Sequence, residues 1–183
     1  MLDLIIRNGW LHDGTGTPAY AADLGIASGR IQALGDLRGA DARQSIDAAR
    51  QAVCPGFIDA HSHSDTSVLL DPRAVSKISQ GITTEVCGNC GSSPAPRLGT
   101  VAGPSDGADK KYPGSWRTVA EYRALLAQVA PAVNIVLLTG HNTLRSGVVG
   151  YGNRFASPEE VARMCRALEQ CLEEGSRGLS TGL

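Results

Sequence analysis

The sequence predicts an α/β protein in two parts, a small all-β unit followed by strand and helix repeats that amount to about half of a parallel barrel. Three observations carry this. Short apolar runs broken by turn residues extend as far as Val53, strands and helices alternate after Gly56, and His61-Ser62-His63 stands where the first of those later strands ends. Strand and helix alternation implies right-handed crossovers and a parallel sheet, with active residues in loops at the C-terminal strand ends. The ~130 residues after Cys54 compare with about 250 for a closed (β/α)8 barrel.

In the first part, Leu4-Ile5-Ile6 precedes Asn8-Gly9, Leu24-Gly25-Ile26 precedes Ser28-Gly29, and Ile31 to Leu34 precede Gly35-Asp36. That spacing predicts strands joined by hairpins. Ser45 to Val53 predicts a last strand leading into Cys54-Pro55-Gly56.

In the second part, Gly56 to Ala60 predicts a short strand. Asp71-Pro72 offers an N-cap followed by proline at the first helical position, with Gly81 as the stop. Ile82 to Val86, rich in β-branched residues, predicts the second strand. A loop from Gly88 to about Arg117 follows, carrying Gly91, Pro94, Pro96, Gly103, Pro104, Gly107, Pro113 and Gly114; loops longer than about 15 residues within compact domains are usually functional or disordered. Thr118-Val119-Ala120-Glu121 is a capping-box pattern opening a helix with Val119, Tyr122, Leu125, Leu126 and Val129 at helical spacing, which Pro131 ends. Asn134 to Thr139 is a continuous apolar run, as expected of a strand buried on both faces. Ser157-Pro158-Glu159-Glu160 then caps a helix with Val161, Met164, Cys165, Leu168 and Leu172 on one face and Gly175 at its stop. Gly178 to Leu183 reads as the start of a fourth strand.

Composition narrows the function. With 17 Lys and Arg against 18 Asp and Glu, the formal net charge is -1, and the pI is near 6.4. No electrostatic footprint for nucleic acid or acidic membranes exists in that balance. At 42% hydrophobic and 19% charged residues, one or two packed domains are expected. The five cysteines are an odd number in a chain too long to need disulfide stapling, so they read as reduced thiols of a cytoplasmic protein. No basic segment leads into an apolar one at Met1, and no apolar run of about 18 residues occurs, which disfavours secretion and membrane spanning.

His61-Ser62-His63 is the sharpest chemical feature. A period of two projects both imidazoles to one side, as two ligands on one divalent metal require, although two histidines hydrogen-bonded within a polar loop satisfy the same spacing. Cys87-Gly88-Asn89-Cys90 lies just past the next strand. Half of a structural zinc site, a redox pair and two unconnected thiols are all open to it. A structural zinc site needs a second close ligand pair, and Cys165 and Cys171 lie six apart on a helix. A redox pair expects a helix to begin at the motif, whereas Gly- and Pro-rich loop follows. One thiolate joining the two histidines is the more economical account.

Several segments together resemble one family. Gly56-Phe57-Ile58-Asp59-Ala60-His61-Ser62-His63-Ser64-Asp65, Gln80-Gly81-Ile82-Thr83-Thr84, Gly88-Asn89-Cys90-Gly91 with Pro94-Ala95-Pro96, Gly140-His141-Asn142-Thr143-Leu144-Arg145 and Gly178-Leu179-Ser180-Thr181-Gly182-Leu183 are similar, in that order, to the N-acyl-D-amino-acid deacylases of the amidohydrolase superfamily. The resemblance implies the N-terminal half of a metal-dependent (β/α)8 barrel (55–183), preceded by part of a small β-sandwich domain (1–54). It implies that His61, His63 and Cys90 bind Zn2+, with the cysteine standing where relatives use a carboxylated lysine. Cys87 has no role in the pattern and reads as a small buried hydrophobe beside the site. Asp65 is expected to orient the histidines or cap its loop. His141 and Arg145, placed in the loop after the third strand, are expected to contact substrate or support the site; Arg145 suits a substrate carboxylate or a structural ion pair. His12 is assigned nothing.

The implied reaction is zinc-assisted hydrolysis of the amide of a small-molecule N-acyl-D-amino acid. Two further histidines and the general acid/base aspartate are expected beyond Leu183, and no catalytic carboxylate is assigned within the chain. A dihydroorotase-like cyclic amidase is the alternative within the superfamily, against which Gly88-Asn89-Cys90-Gly91 argues. A non-catalytic remnant, or a split subunit that self-associates or pairs with the missing half, is the alternative outside it; an open half-barrel exposes a strand edge and apolar helix faces.

Overall fold

The computed structural model describes residues 1–99 and 111–182, so Gly103, Pro104 and Gly107 of the long loop, and Leu183 of the fourth strand, lie outside the described residues. The chain divides into two compact units, Met1–Pro55 and Gly56–Leu183. No described helix is long and apolar enough to cross a membrane.

In the first unit, β1 (Leu2–Leu11), β2 (Tyr20–Ala27), β3 (Arg30–Gly35) and β4 (Ala42–Asp47) form a sheet in the order β3-β2-β1-β4, and β5 (Ala52–Val53) also pairs with β1. Only part of it is hairpin. The β2 to β3 turn is Ser28-Gly29, with φ of 51° and 70°, the conformation of a two-residue primed turn. β4 and β5 instead run parallel to β1, and the predicted single strand over Ser45 to Val53 is broken by Ala49 and Arg50 at φ of 47° and 64°. Asn8-Gly9 does not turn the chain either. The pairing of β1 with β2 slips there, Asn8 takes φ 56°, and its N–H donates to Asp23 Oδ1 at 2.9 Å, so the pair is a bulge inside one strand.

In the second unit, β6 (Phe57–Asp59), β7 (Ile82–Cys87) and β8 (Asn134–Leu137) pair in parallel in that order, and β9 (Thr139–Gly140) pairs in parallel with β10 (Leu179–Ser180). The run Asn134 to Thr139 thus serves two strand neighbours on either side of Leu138, and it is not sealed on both faces: Asn134 is exposed, and Ile135 and Val136 are half-buried. Between strands lie α1 (Val75–Ile78), α2 (Val119–Val129), α3 (His141–Val148) and α4 (Pro158–Glu173).

Sequence and structure agree most closely at α2. Thr118 and Glu121 complete the capping box reciprocally, and Val119, Tyr122 and Leu125 enter a core with Leu69, Ala95, Trp116, Leu137 and Cys171. α4 has the same box, from Ser157 and Glu160. Its expected face is covered differently, however: Met164 and Leu168 are half-buried, Val161, Cys165 and Leu172 are exposed, and Cys171 is buried. The helix expected from Asp71 to Gly81 shrinks to four residues. Asp71 is used up in its own turn, accepting from Arg73 N at 3.2 Å and pairing with that guanidinium at 2.8 Å, and Ala74 at φ 45° interrupts any earlier helical run.

Candidate metal centre

The pairing of β6 with β7 continues past Asp59, because Ser62 N donates to Val86 O at 2.9 Å. An extended segment alternates its side chains, and the outcome here is clean. Ser62 is buried while His61 and His63 are exposed. The two imidazole rings lie 5.4 Å apart between centroids at 62°.

Past the end of β7 the chain folds into a tight loop. Gly88, Cys90 and Gly91 all have left-handed backbones, with φ of 81°, 53° and 73°. Gly88 is required by space as well, since a Cβ there would lie 2.1 Å from Leu138 O. Cys90 has no such freedom, and its conformation persists because its surroundings hold it. Gly91 N donates to Ser180 Oγ at 3.1 Å, and Ser180 Oγ donates to Gly88 O. Gly91 O accepts from Asn142 N at 2.8 Å and Thr143 N at 3.2 Å, the first turn of α3. Asn89 Nδ2 donates to Val86 O at 2.7 Å and Ser62 O at 3.3 Å, tying this loop to the histidine segment.

The result brings three ligand-type side chains together. Cys90 Sγ lies 3.2 Å from His61 Nε2, and one ligand atom from each of His61, His63 and Cys90 falls within 4.8 Å of the others. Ligands of one tetrahedral zinc ion stand roughly 3.5 Å apart, so two imidazole nitrogens and a thiol at this spacing fit such an ion chemically, and all three residues are exposed.

The neighbouring residues divide differently. Cys87 is buried, and that burial, reinforced by the nearby Asp65 and Glu85 charges, pushes its thiol up to about 12; a metal-binding cysteine must be a thiolate. Burial also raises the Asp65 carboxyl, against the lowering by its bond from Thr66 N. Asp65 stays outside the trio and closes its loop, accepting from Thr66 N at 3.1 Å while its carbonyl accepts from Tyr122 OH at 2.6 Å.

His141 and Arg145 are not in a loop: they lie on α3, of which His141 is the first residue. The helix carries no cap signal because its N-cap, Gly140, has no side chain, and the free N–H groups of Asn142 and Thr143 are satisfied by Gly91 O from across the fold. His141 Nδ1 faces Asn142 Oδ1 at 3.4 Å. Arg145 donates to the carbonyls of Arg154 and Gly152 at 2.6 and 3.4 Å, and its Nη1 is buried with no partner among the described residues.

Sequence reasoning passed over Ser62, Lys77, Glu85 and Asn89. One signal was available: Glu85 is a charged residue inside a short apolar strand, two positions from Cys87 and therefore on the same face.

A family model described as Amidohydrolase family matches residues 44–182. The D-aminoacylase of Alcaligenes xylosoxydans xylosoxydans is 40% identical over 181 residues, which is 98% of this chain and 37% of that protein. The N-acyl-D-aspartate deacylase of the same organism is 41% identical over 98% of this chain and 36% of its own length. Among solved structures, the N-acyl-D-glutamate deacylase of Bordetella bronchiseptica, complexed with zinc and a phosphonate mimic of the tetrahedral intermediate, superposes with a TM-score of 0.90 at 39% identity, covering 100% of this chain and 38% of that one. The chain thus spans little more than a third of the length of these relatives.

Proposed function

The chain belongs to the amidohydrolase family, and from that premise we propose that it is the N-terminal part of a zinc-dependent enzyme that hydrolyses the amide bond of N-acyl-D-amino acids. The observation that carries this reading is the convergence of His61, His63 and Cys90 from two strand ends to within 4.8 Å. In this reading 1–54 is part of a small β-sandwich domain and 55–183 is the first half of a (β/α)8 barrel, the rest of which lies outside this chain. Exposed Val161, Leu172, Phe57 and Ile58 support a surface that further polypeptide covers. Five free thiols support a reducing, cytoplasmic setting.

Zinc held here supplies a Lewis acid that polarises the amide carbonyl and a water made acidic enough to attack near neutral pH. This chain's own residues hold and orient that ion. The Cys90 thiolate adds negative charge and biases the site toward zinc over harder cations such as Mg2+. The loop bonds from Ser180, Asn142 and Thr143 fix where that sulfur stands. Two further histidines and a general acid/base aspartate come from outside this chain, and α3, which carries His141 and Arg145, is tied to the Cys90 loop by the Asn142 and Thr143 bonds to Gly91.

The test uses the full-length protein, whose intact mass exceeds the 19.1 kDa of this chain if the reading holds. Zinc content is measured by mass spectrometry, and hydrolysis is followed on paired N-acetyl-D- and L-amino acids and on dihydroorotate. We expect bound zinc, turnover of D substrates, and loss of both in Cys90→Ala but not in Cys87→Ala. Full zinc retention in Cys90→Ala overturns the ligand assignment. Turnover of dihydroorotate with none of the N-acyl-D-amino acids overturns the substrate.

A further inference from the structure

Glu85 is fully buried in β7. Its Oε2 accepts from Ser62 Oγ and stands 3.1 Å from Lys77 Nζ on α1, while its Oε1 is buried with no partner among the described residues. Lys77 Nζ also pairs with Asp59 Oδ2 at 2.6 Å and donates to Ser62 Oγ at 3.4 Å, and Asp59 Oδ1 accepts from His61 N at 3.1 Å. One ammonium and two carboxylates therefore grip the segment between the imidazoles, at the His61 N–H and the Ser62 hydroxyl. Val86 O and Asn89 Nδ2 hold the Ser62 N–H and C=O.

This arrangement is costly to the fold. A buried carboxylate with one unsatisfied oxygen forfeits hydration that its single ammonium only partly returns, and apolar residues of similar volume commonly hold such a position as well or better. A buried polar group that stability does not require points to a role in the site it touches. Besides Lys77, this group touches Ser62, the one residue between two ligand side chains.

We propose that Lys77 and Glu85 are positioning residues of the metal centre: they hold Ser62, and through it the backbone carrying His61 and His63, so that both imidazoles converge on one divalent cation with Cys90. The inference rests on the metal-site reading above and names the residues that make that site rigid. A scaffold one bond further out acts on the metal by fixing its ligands, and such outer partners commonly contribute about 10- to 100-fold in affinity.

The experiment compares full-length wild type, Glu85→Gln, the double variant Glu85→Leu/Lys77→Met, and Cys90→Ala. Zn2+ affinity is measured by chelator competition, the Co2+-loaded absorption spectrum reports ligand geometry, and unfolding of the metal-free proteins reports stability. We expect Zn2+ affinity to fall about tenfold or more in Glu85→Gln and in the double variant, with a changed Co2+ ligand-field spectrum, while the metal-free double variant unfolds at or above the wild-type temperature. A double variant that folds and keeps both wild-type affinity and the wild-type Co2+ spectrum overturns the positioning role. Tight wild-type binding that Cys90→Ala abolishes, alongside that result, leaves the metal site standing and the inference alone refuted. A wild type that binds no zinc overturns both.

Discussion

Cys87 and Cys90 stand three residues apart at the end of one strand, and the two sides of the molecule they occupy could hardly differ more. Cys87 is buried, and that burial, with the nearby Asp65 and Glu85 charges, pushes its thiol up to about 12. Cys90 is exposed and stands 3.2 Å from a histidine nitrogen. The same division runs through His61-Ser62-His63, with the rings exposed and the hydroxyl buried. Burial and neighbours, rather than residue type, decide which thiol is available for chemistry. The buried side is the frame, and the open side is what the frame presents.

The contrast can be broken from the buried side. Tyr122 is fully buried in the core, and its hydroxyl donates to Asp65 O at 2.6 Å. Tyr122→Ala removes a large packed ring and should cost about 3–5 kcal/mol, measured by denaturant unfolding, whereas Tyr122→Phe loses one hydrogen bond and should cost about 1 kcal/mol. Equal costs would mean that the ring contributes little and that the buried layer is looser than its packing implies.

The thiols themselves sharpen it next. Moving a thiol from 9.0 to about 12 cuts its thiolate fraction at neutral pH roughly a thousandfold, and the thiolate is the nucleophile. Under iodoacetamide at pH 7.5, peptide mass mapping should find Cys90 modified along with exposed Cys54 and Cys165, and Cys87 intact. Zinc added beforehand should protect Cys90 alone among the exposed three. Labelling of Cys87 at a rate comparable to Cys90 in the folded protein would erase the distinction between the two sides.

How much of this was legible beforehand follows the range of the forces involved. Helix starts at Thr118 and Ser157 were readable because a capping box is satisfied within four residues. The histidine pair was marked by its spacing and strand-end position, whereas singling out Cys90 over Cys87 rested on the family resemblance; the structure brings His61, His63 and Cys90 within 4.8 Å. α3 was not readable, since its Asn142 and Thr143 donors are satisfied by Gly91 O, distant in sequence, and Gly140 leaves no side-chain sign of a cap. Nor was the exposure of Val161 and Leu172 on α4, because helical spacing reports which face is apolar and not what covers it. The grip of Glu85 and Lys77 on Ser62 required the register of β6 against β7, which no single segment encodes.

Carboxylates repeat the thiol contrast in part, and the smallest expected effect comes from their less buried copy. Glu85 is sealed in the sheet, whereas Glu160 is half-buried at the start of α4, accepting from Ser157 N at 2.8 Å and gripped by Arg154 through two bonds of 2.6 and 2.7 Å. The Arg154 guanidinium first, and the Ser157 N–H second, bring its carboxyl down to about 2 from 4.5. Because the folded value lies below the unfolded one, Glu160 stabilises the fold fully above about pH 4.5, and that contribution is lost as pH falls toward 2. Solvent screening keeps the contribution small. The gap in urea midpoint between wild type and Glu160→Gln should therefore be widest near pH 7, narrow steadily below about pH 4.5, and shrink further when salt is added. A gap that stays constant down to pH 2.5 would show that Glu160 acts through the shape of its side chain in the cap and not through its charge, and a half-buried carboxylate would then behave as the buried layer does, by packing.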